Sequence, residues 1–509
     1  MTYTWQFLLK TGVFIPVAFI AFMLWRDPFS FPADYDYDEG INLMKTMLYD
    51  QGFRLYIDVW NDQPPLLTVM LSQWFDWVGQ SVESARFLIT LFSALLLWSF
   101  YLAMHQSVTA FAATIGVVLL VLSEFYLRLS AAVMVGLPSI ALAMLSITLL
   151  MISCRQEGHE YKTPKKIRIS QIILSAIVMA LALQTKLFVL ILLPFVGFYF
   201  LLSKLNQTPP LTRQRTRFVQ AIIWGTVLLS AFFIIGLYFR SLNPSMLIQT
   251  HFGAETRGQI AFAEESREFL VNFATQQRFY LFLAAVGVFW GLLQRRRGVL
   301  LPLFWFVISV VGMAFHRPLW YHHIVLLTIP LSWMAAFSVE AWAYLFNNLA
   351  NAATTYTASM RMAYARLALL VASTLVFFVA LLFYPSALPK RIEEQSKTYR
   401  PLYVWEMVHQ LRDDGLAEPG FVFTDRPFYA FQAGQPVTPP IASISRKRIE
   451  TGIITDETMY DALIDYEPQY IILERFVGYY GDAVMAEINA HFELILEIGP
   501  ARYYRRIDS

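Results

Sequence analysis

Charged residues and cysteines are scarce in this chain of 509 residues. Only 15% of the residues are charged, whereas 57% are hydrophobic and the mean hydropathy is +0.48. These values lie outside the range of soluble globular chains and indicate an integral membrane protein. The single cysteine, Cys154, cannot form a disulfide within the chain, so any part outside the membrane must be held by ordinary packing. The net charge of +2 is too small to suggest a nucleic-acid partner.

Several catalytic motifs are also missing. The chain has no glycine-rich phosphate loop, no paired-cysteine motif and no nucleophile elbow. A cytoplasmic domain that binds a soluble nucleotide-linked donor is therefore not expected. No internal repeat or low-complexity segment stands out.

The sequence does have a series of long apolar runs. A hydrocarbon core of about 30 Å needs roughly 20 helical residues. The runs predict eleven transmembrane helices, at residues 6–25, 85–104, 108–126, 132–153, 170–185, 187–203, 218–239, 278–293, 298–315, 323–346 and 366–384. The adjoining fifth and sixth could instead form one broken helix. The first lacks a small-residue cleavage site, which favours a retained helix over a removed signal peptide.

The basic residues predict the orientation of these helices. Four connections rich in lysine and arginine fall on one side of the membrane, at residues 155–168, 204–217, 295–297 and 361–366. The positive-inside rule makes that side cytoplasmic. The N-terminus is then cytoplasmic, as expected in a plasma or bacterial inner membrane. A first outer loop at 26–84, a second outer loop at 240–277 and residues 385–509 lie outside.

The sequence changes character at Pro385. Charges and turn residues become common, and short runs such as 421–423 and 470–473 have β character. About 120 residues suffice for a small domain. We therefore predict an all-α polytopic membrane domain at residues 1–384, followed by a small extracytoplasmic α/β domain at 385–509.

The first outer loop begins with acidic residues and ends near a proline pair. Asp36, Asp38 and Glu39 precede Gly40, and apolar-periodic stretches near 40–52 and 63–79 predict interfacial amphipathic helices. A carboxylate at the membrane surface can take a proton from an acceptor hydroxyl as it attacks an anomeric carbon. The same residues would suit a solvated turn before a helix, because acidic side chains complement the helix dipole. The residues alone leave both roles open.

This loop resembles the first outer loop of glycosyltransferase family 39 and its relatives, the protein O-mannosyltransferase and aminoarabinose-transferase type of the GT-C superfamily. The resemblance rests on Asp-Glu-Gly at 38–40, Gly52 to Tyr56, Asp58, Pro64-Pro65, the motifs at 183–186 and 316–323, and the hydropathy outline. It implies a GT-C fold and inverting sugar transfer from a polyprenyl-phosphate donor. The acceptor would be a lipid, a glycan or a protein at the outer face.

The resemblance also implies roles for individual residues. In that family the aspartate of the acidic pair acts as the base or positions the acceptor, and the matching residue is Asp38, with Glu39 beside it. Asp58 and Gln63 would then contribute to substrate binding. Relatives often carry a basic residue where this chain has Gln63, and an acidic residue near the start of the fourth span, where this chain reads 133–138 without one. Those departures bear on the contacts to the donor head group.

A second polar cluster lies where the ninth predicted helix emerges on the outer face. It comprises His316, Arg317, Trp320, His322 and His323. Phosphate or sugar binding is one interpretation, since arginine presents a fork of donors to phosphate. Histidine is also a common metal ligand. The alternative is an interfacial anchor of aromatic rings and hydrated imidazoles.

Two more residues complete the predicted site. Lys186 lies between two apolar spans near the predicted outer face, where an ionisable group costs roughly a few kcal/mol and usually has a partner or a function. It would serve as a counter-ion for phosphate, or it would snorkel from a helix end. His251, in the second outer loop, would contact substrate or belong to a lid over the acceptor.

Together these residues predict a membrane glycosyltransferase. Asp38 would activate the acceptor, while Lys186, Arg317 and the histidines would hold the donor phosphate and offset its developing charge. The scheme requires no cofactor, although a divalent metal is compatible with it. The rival interpretation is a transporter or a flippase for lipid-linked sugars. Transporters usually place polar groups near the bilayer midplane on interrupted helices, whereas here these groups gather at one interface.

The predicted orientation can be tested by cysteine accessibility. In a Cys154→Ser background, Ser266→Cys and Ser445→Cys should react with a membrane-impermeant maleimide that is added from outside. Lys165→Cys, in a basic connection, is the matched control and should react only after permeabilisation. Reaction of the first two variants only from the cytoplasmic side would contradict both the orientation and the location of the active site.

Overall fold

The computed structural model describes residues 10–61, 63–154, 169–205, 211–242, 262–315, 319–352, 403–450 and 452–507. Within these residues the chain is mostly helical and has one small mixed sheet near the C-terminus. The predicted eleventh span, 366–384, lies outside them.

The described residues up to 352 are mostly helical. In chain order the helices are α1 (Phe14–Arg26), α2 (Tyr37–Asp50), α3 (Leu66–Val78), α4 (Val82–Met104), α5 (Ala110–Val121), α6 (Glu124–Leu129), α7 (Gly136–Cys154), α8 (Ile169–Thr185), α9 (Leu193–Leu205), α10 (Leu211–Tyr238), α11 (Phe262–Gln276), α12 (Arg278–Leu293), α13 (Leu300–Phe315) and α14 (Val325–Ala352). Short 3-10 turns at Leu187–Leu192, Arg297–Val299 and Tyr321–Ile324 precede α9, α13 and α14.

Ten apolar helices in the described part of the chain occupy ten of the eleven predicted positions. Five are long enough to cross a membrane: Val82–Met104, Gly136–Ser153, Phe218–Tyr238, Arg297–Phe315 and Tyr321–Tyr344. Five are shorter: Phe14–Arg26, Ala110–Val121, Ile169–Thr185, Leu187–Leu202 and Arg278–Leu293. The predicted helical multi-span architecture is therefore confirmed.

The centre of the bundle is the span Tyr321–Tyr344, which contains most of α14. All residues of its apolar stretch are buried, whereas only 17% of those in the apolar stretch of Phe218–Tyr238 are buried. The second value is expected of a helix that faces lipid. Gly287 of α12 lies so close to α14 that an added Cβ would collide with the Met334 carbonyl. Membrane helices commonly pack through small residues that let their backbones approach closely. Lipid supplies little hydrophobic driving force between the helices, so close packing must hold them together.

The part of the chain after residue 402 forms a small α/β unit. Its helices are α15 (Tyr403–Ala417), α16 (Pro427–Ala433), α17 (Arg446–Glu450), α18 (Asp456–Tyr466) and α19 (Asp482–His491), with 3-10 turns at Pro439–Ile441 and Val477–Tyr479. Its strands are β1 (Val422–Thr424), β2 (Tyr470–Leu473), β3 (Phe492–Ile498) and β4 (Ala501–Arg506). The β-like runs predicted at 421–423 and 470–473 correspond to β1 and β2.

The sheet has the order β1-β2-β4-β3. β1 and β2 are parallel, with Phe423 opposite Ile471, and the other pairs are antiparallel. Parallel neighbours need a long crossover, and α16, α17 and α18 supply it. As a result, the residues that follow β1 and β2 emerge at the same edge of the sheet, which faces the first outer loop.

The first outer loop contains both predicted helices, α2 and α3, but α2 does not lie at an interface as expected. Residues Glu39 to Leu48 are all buried. The reason is that α16 covers the side of α2 that would otherwise meet water. Gly40 makes this contact possible, because an added Cβ would lie 2.6 Å from the backbone nitrogen of Phe428.

Substitution of Gly40 should therefore weaken the docking of α16. We expect Gly40→Ala to lower the free energy of unfolding by about 1–3 kcal/mol, the usual range for overpacking a tight contact. The measurement is thermal or denaturant unfolding in detergent. Gly225→Ala is the matched control, since an added Cβ there has no neighbour within 4 Å. Equal stability of both variants would contradict a tight contact at Gly40.

Candidate functional site

The acidic residues of the first outer loop lie at the start of α2. Asp36 is the N-cap, and its carboxylate accepts a hydrogen bond from the Asp38 N–H at 3.0 Å. It also accepts one from the Tyr321 hydroxyl. Burial raises the pKa of Asp36 above its usual value, while these two hydrogen bonds and the charge of Arg128 oppose the rise. Asp38 itself stands exposed in the first turn.

Arg128, at the end of α6, joins the first outer loop to the segment before α14. Its Nη2 donates to the Tyr35 carbonyl at 2.8 Å. Its guanidinium carbon lies 4.2 Å from the centre of the Tyr321 ring. An arginine over an aromatic face is held by the ring quadrupole, so one cation fixes both the loop and the phenol that donates to Asp36.

Lys186 lies where the chain turns from α8 into the next 3-10 turn. Its backbone is extended at φ −154° and ψ 124°, and its side chain is half-buried. Its Nζ lies 3.3 Å from Nε2 of His322. A charged ammonium can only donate, so His322 then accepts at Nε2 and carries its proton on Nδ1. His322 is buried, and its ring centre lies 4.3 Å from that of His323.

His323 is held by its own neighbours. Its Nδ1 accepts a hydrogen bond from the Trp320 N–H at 3.1 Å, and its ring packs 4.3 Å from the ring of Phe188. The Trp320 side chain is 48% exposed. The segment 319–324 therefore turns histidines inward beside Lys186 and leaves an indole at the surface.

The structure thus brings together three segments that are distant in sequence. Tyr321 contacts Asp36 and interacts electrostatically with Asp38, while the next residue, His322, contacts Lys186. Two carboxylates and a phenol therefore meet at the junction of the first outer loop and the bundle. The cations Arg128 and Lys186 lie beside them. Such a set can remove a proton and offset negative charge.

Glu39 is part of a buried ion pair. The Arg86 guanidinium donates to it at 2.9 and 3.1 Å, and both side chains are 0% exposed. The Tyr35 N–H donates to the same carboxylate at 2.7 Å, and the Val133 N–H at 3.3 Å. Arg86 also donates to the carbonyls of the preceding loop: Phe29, Phe31 and Ala33. These contacts fix the path of the loop and the start of α2.

The other predicted residues of this loop lie beyond the contacts just described. Asp58 accepts hydrogen bonds from the Arg54 side chain at 2.9 and 3.0 Å and from its N–H at 2.8 Å. The Arg54 hydrogen bonds hold the pKa of Asp58 low, at about 2. Gln63 accepts a hydrogen bond from the Tyr56 hydroxyl at its backbone carbonyl, at 2.9 Å. Three predicted residues lie outside the described part of the chain: His251, His316 and Arg317.

Sequence reasoning did not assign Arg86, Tyr321 or Lys45 to this region. Lys45 is buried on α2 and donates to the Asn61 amide oxygen at 3.0 Å. Arg86 lies at the start of the predicted span 85–104. A charge beside an apolar run is costly and usually has a partner, so Arg86 could have been selected on that ground. No local signal pointed to Tyr321, because its partner is far away in the sequence.

A metal centre is not evident in the described ranges. Within them, no group of three or more His, Cys, Asp or Glu side chains is arranged to hold a metal ion.

Comparisons with known proteins identify the fold. No protein-family model matches the chain, and no curated protein matches its sequence. Crystal structures of ArnT from Cupriavidus metallidurans, in the apo state and bound to undecaprenyl phosphate, each match with a TM-score of 0.63 and 13% identity. The matches cover 97% of this chain and 97% or 98% of theirs.

A more distant match is the apo Archaeoglobus fulgidus oligosaccharyltransferase. Its TM-score is 0.56 at 12% identity, over 92% of this chain and 69% of its own. The chain therefore has the fold of the GT-C membrane glycosyltransferases, as the resemblance of the first outer loop implied.

The buried ion pair generates a stability prediction. Arg86→Met leaves Glu39 as a buried charge without its guanidinium, so the free energy of unfolding should fall by about 3–5 kcal/mol. Replacement of both partners, in Glu39→Leu/Arg86→Met, should recover part of the loss. Unfolding in detergent would measure both.

The matched control is the other arginine–carboxylate pair of the loop. Arg54 is 64% exposed beside Asp58, so Arg54→Met should leave the unfolding midpoint nearly unchanged. Equal effects of the two arginine substitutions would show that burial of the Glu39 pair does not matter.

Proposed function

We propose that this chain is an integral membrane glycosyltransferase that uses a polyprenyl-phosphate-linked sugar donor at the outer face of the membrane. The observation that carries the proposal is the meeting of Lys186 and His322 with the acidic start of α2 through Tyr321. The fold supports it, because the ArnT structure whose fold matches over 97% of this chain has undecaprenyl phosphate bound. The acceptor is a lipid, a glycan or a protein.

The reaction that fits these groups is a single inverting displacement. Asp38 takes the proton of the acceptor hydroxyl, whose oxygen bonds to the anomeric carbon as the bond from that carbon to the phosphate oxygen breaks. The electron pair leaves with the polyprenyl phosphate. Lys186 holds that phosphate and offsets the charge that develops on it, and His322 donates a hydrogen bond to it.

Asp38 is the proposed base because its neighbours have other functions. Asp36 is engaged as the N-cap and by Tyr321, and Glu39 is engaged by Arg86. Asp38 is exposed in the same helical turn, where an acceptor hydroxyl can reach its carboxylate. In this proposal Glu39 contributes to catalysis by fixing that turn.

The remaining candidates are assigned to substrate binding. The indole of Trp320 would contact a sugar or the lipid surface, and His323 would orient His322. His316 and Arg317 precede these residues directly in the chain and would add donors for phosphate. Asp58, Gln63 and His251 are proposed contacts to acceptor or donor head groups.

Lys45 would compensate for one departure from the family pattern. Relatives often have a basic residue before the proline pair, where this chain has Gln63. Lys45 brings a buried ammonium to the same loop from α2, through its hydrogen bond to Asn61. We propose that it supplies there the positive charge that Gln63 lacks.

The central test compares two neighbouring aspartates. Asp38→Asn retains size but removes the basic oxygen, so transfer should fall about 10²- to 10⁴-fold while donor binding stays intact. Asp36→Asn should be much milder, since asparagine is an equally good N-cap. The measurement uses proteoliposomes and a panel of undecaprenyl-phosphate-linked radiolabelled hexoses and pentoses. Binding of undecaprenyl phosphate is measured separately.

A third variant separates binding from chemistry. Lys186→Met should weaken undecaprenyl phosphate binding, and Lys186→Arg should restore most of it, because the charge and the donors return. Inactive Asp36→Asn with active Asp38→Asn would move the base by two residues. Full transfer in both would rule out the first-loop mechanism, and passage of lipid-linked sugar across the membrane without transfer would favour a flippase.

A further inference from the structure

The C-terminal α/β unit holds the chain on both sides of Asp38. Before it, the buried Asp34 carboxylate lies 3.8 Å from Nη1 of Arg426. Arg426 donates to Glu474 at 2.5 Å, and the Tyr429 hydroxyl donates to the other oxygen of Glu474 at 2.6 Å. A charged network that begins after β1 and β2 therefore ends on the first outer loop.

The contact next to Asp38 is made by Tyr37. Its hydroxyl donates to the Ile444 carbonyl at 2.8 Å. Its ring lies under the Arg475 guanidinium, whose carbon is 4.0 Å from the ring centre, and meets the Phe476 ring edge-on at 6.1 Å. Tyr37 is thus held by three separate groups of the α/β unit.

The turn that carries Arg475 is itself fixed by the sheet. Asp425, at the end of β1, is fully buried and accepts hydrogen bonds from three consecutive N–H groups after β2. These are Glu474 at 3.0 Å, Arg475 at 2.8 Å and Phe476 at 2.6 Å. These hydrogen bonds tie the backbone at Arg475 to the end of β1, and the Arg475 guanidinium reaches the Tyr37 ring from there.

We propose that Arg475 is a positioning residue for Asp38, and this inference rests on the proposed function. Successive residues of a helix project about 100° apart. Tyr37 and Asp38 are the first two residues of α2 and share one helical turn. A shift of the Tyr37 side chain therefore moves the turn that carries Asp38. Glu39 is anchored to Arg86 on the membrane side, and Tyr37 is anchored to Arg475 on the outer side. Asp38 is held between the two anchors at the angle that its reaction requires.

The effect of losing this contact should fall on the chemical step. Undecaprenyl phosphate is held by the Lys186 side of the site, so its binding does not depend on Tyr37. A displacement of about 1 Å at a reacting group can lower a rate about 10²-fold. Loss of Arg475 should therefore reduce kcat and leave the affinity for undecaprenyl phosphate unchanged.

The test uses the full-length protein in proteoliposomes with the same donor panel. Arg475→Gln should lower kcat roughly 10- to 100-fold with an unchanged Kd and stoichiometry for undecaprenyl phosphate. Arg475→Lys, which keeps a cation over the ring, should restore most of the rate. Tyr37→Leu/Arg475→Gln should be no slower than Tyr37→Leu, because Arg475 acts on Asp38 only through the Tyr37 ring.

Arg502→Gln is the matched control. Arg502 lies on β4 of the same sheet and pairs with the exposed Glu497, so this variant should transfer at the wild-type rate. A fall in binding stoichiometry that parallels the fall in rate would indicate misfolding and overturn the positioning role. If Arg475→Gln transfers sugar at the wild-type rate while Asp38→Asn is inactive, the positioning role alone is overturned. If the wild-type protein transfers sugar from none of the donors, and Asp38→Asn behaves in the same way, the proposed function is overturned as well.

Discussion

The geometry of the candidate site depends on the buried ion pair between Glu39 and Arg86. A fully buried carboxylate and guanidinium are costly to desolvate, and that cost is offset only where hydrogen bonds are satisfied. Arg86 meets this condition by donating to Glu39 and to three carbonyls of the loop before it. The loop must therefore wrap around the guanidinium. This places the start of α2, and with it the proposed base, at the rim of the helix bundle.

A second constraint acts from the opposite side. The α/β unit covers α2 through Gly40, Tyr37 and Asp34. A helix that would be half-exposed on the membrane surface becomes an interior helix between two packed bodies. One of its few exposed side chains in the first two turns is Asp38. The exposure of that carboxylate is thus a property of both bodies together.

Local signals in the sequence were enough for part of this arrangement. Apolar runs predicted the membrane helices, because the bilayer imposes their length and composition. Lys186 could be selected because an ionisable residue between two apolar spans is rare. The Asp-Glu-Gly motif led to Asp38 by resemblance, and short apolar runs of β character indicated β1 and β2.

Pairings across the chain could not be predicted in this way. Glu39 and Arg86 are separated by 47 residues, and Tyr37 and Ile444 by 407. No periodicity records which distant residue will cover a helix, so α2 was expected at an interface. The glycine of the Asp-Glu-Gly motif gave no indication of its function until α16 was found against it.

The contact between Gly40 and Phe428 also sets an order of events during synthesis. The ribosome adds about 5–20 residues per second, so tens of seconds separate the emergence of α2 from that of the residues that cover it. During that interval α2 lacks the cover that α16 gives it in the folded protein. The contacts that bury the start of α2 are therefore incomplete until the last fifth of the chain has been synthesised.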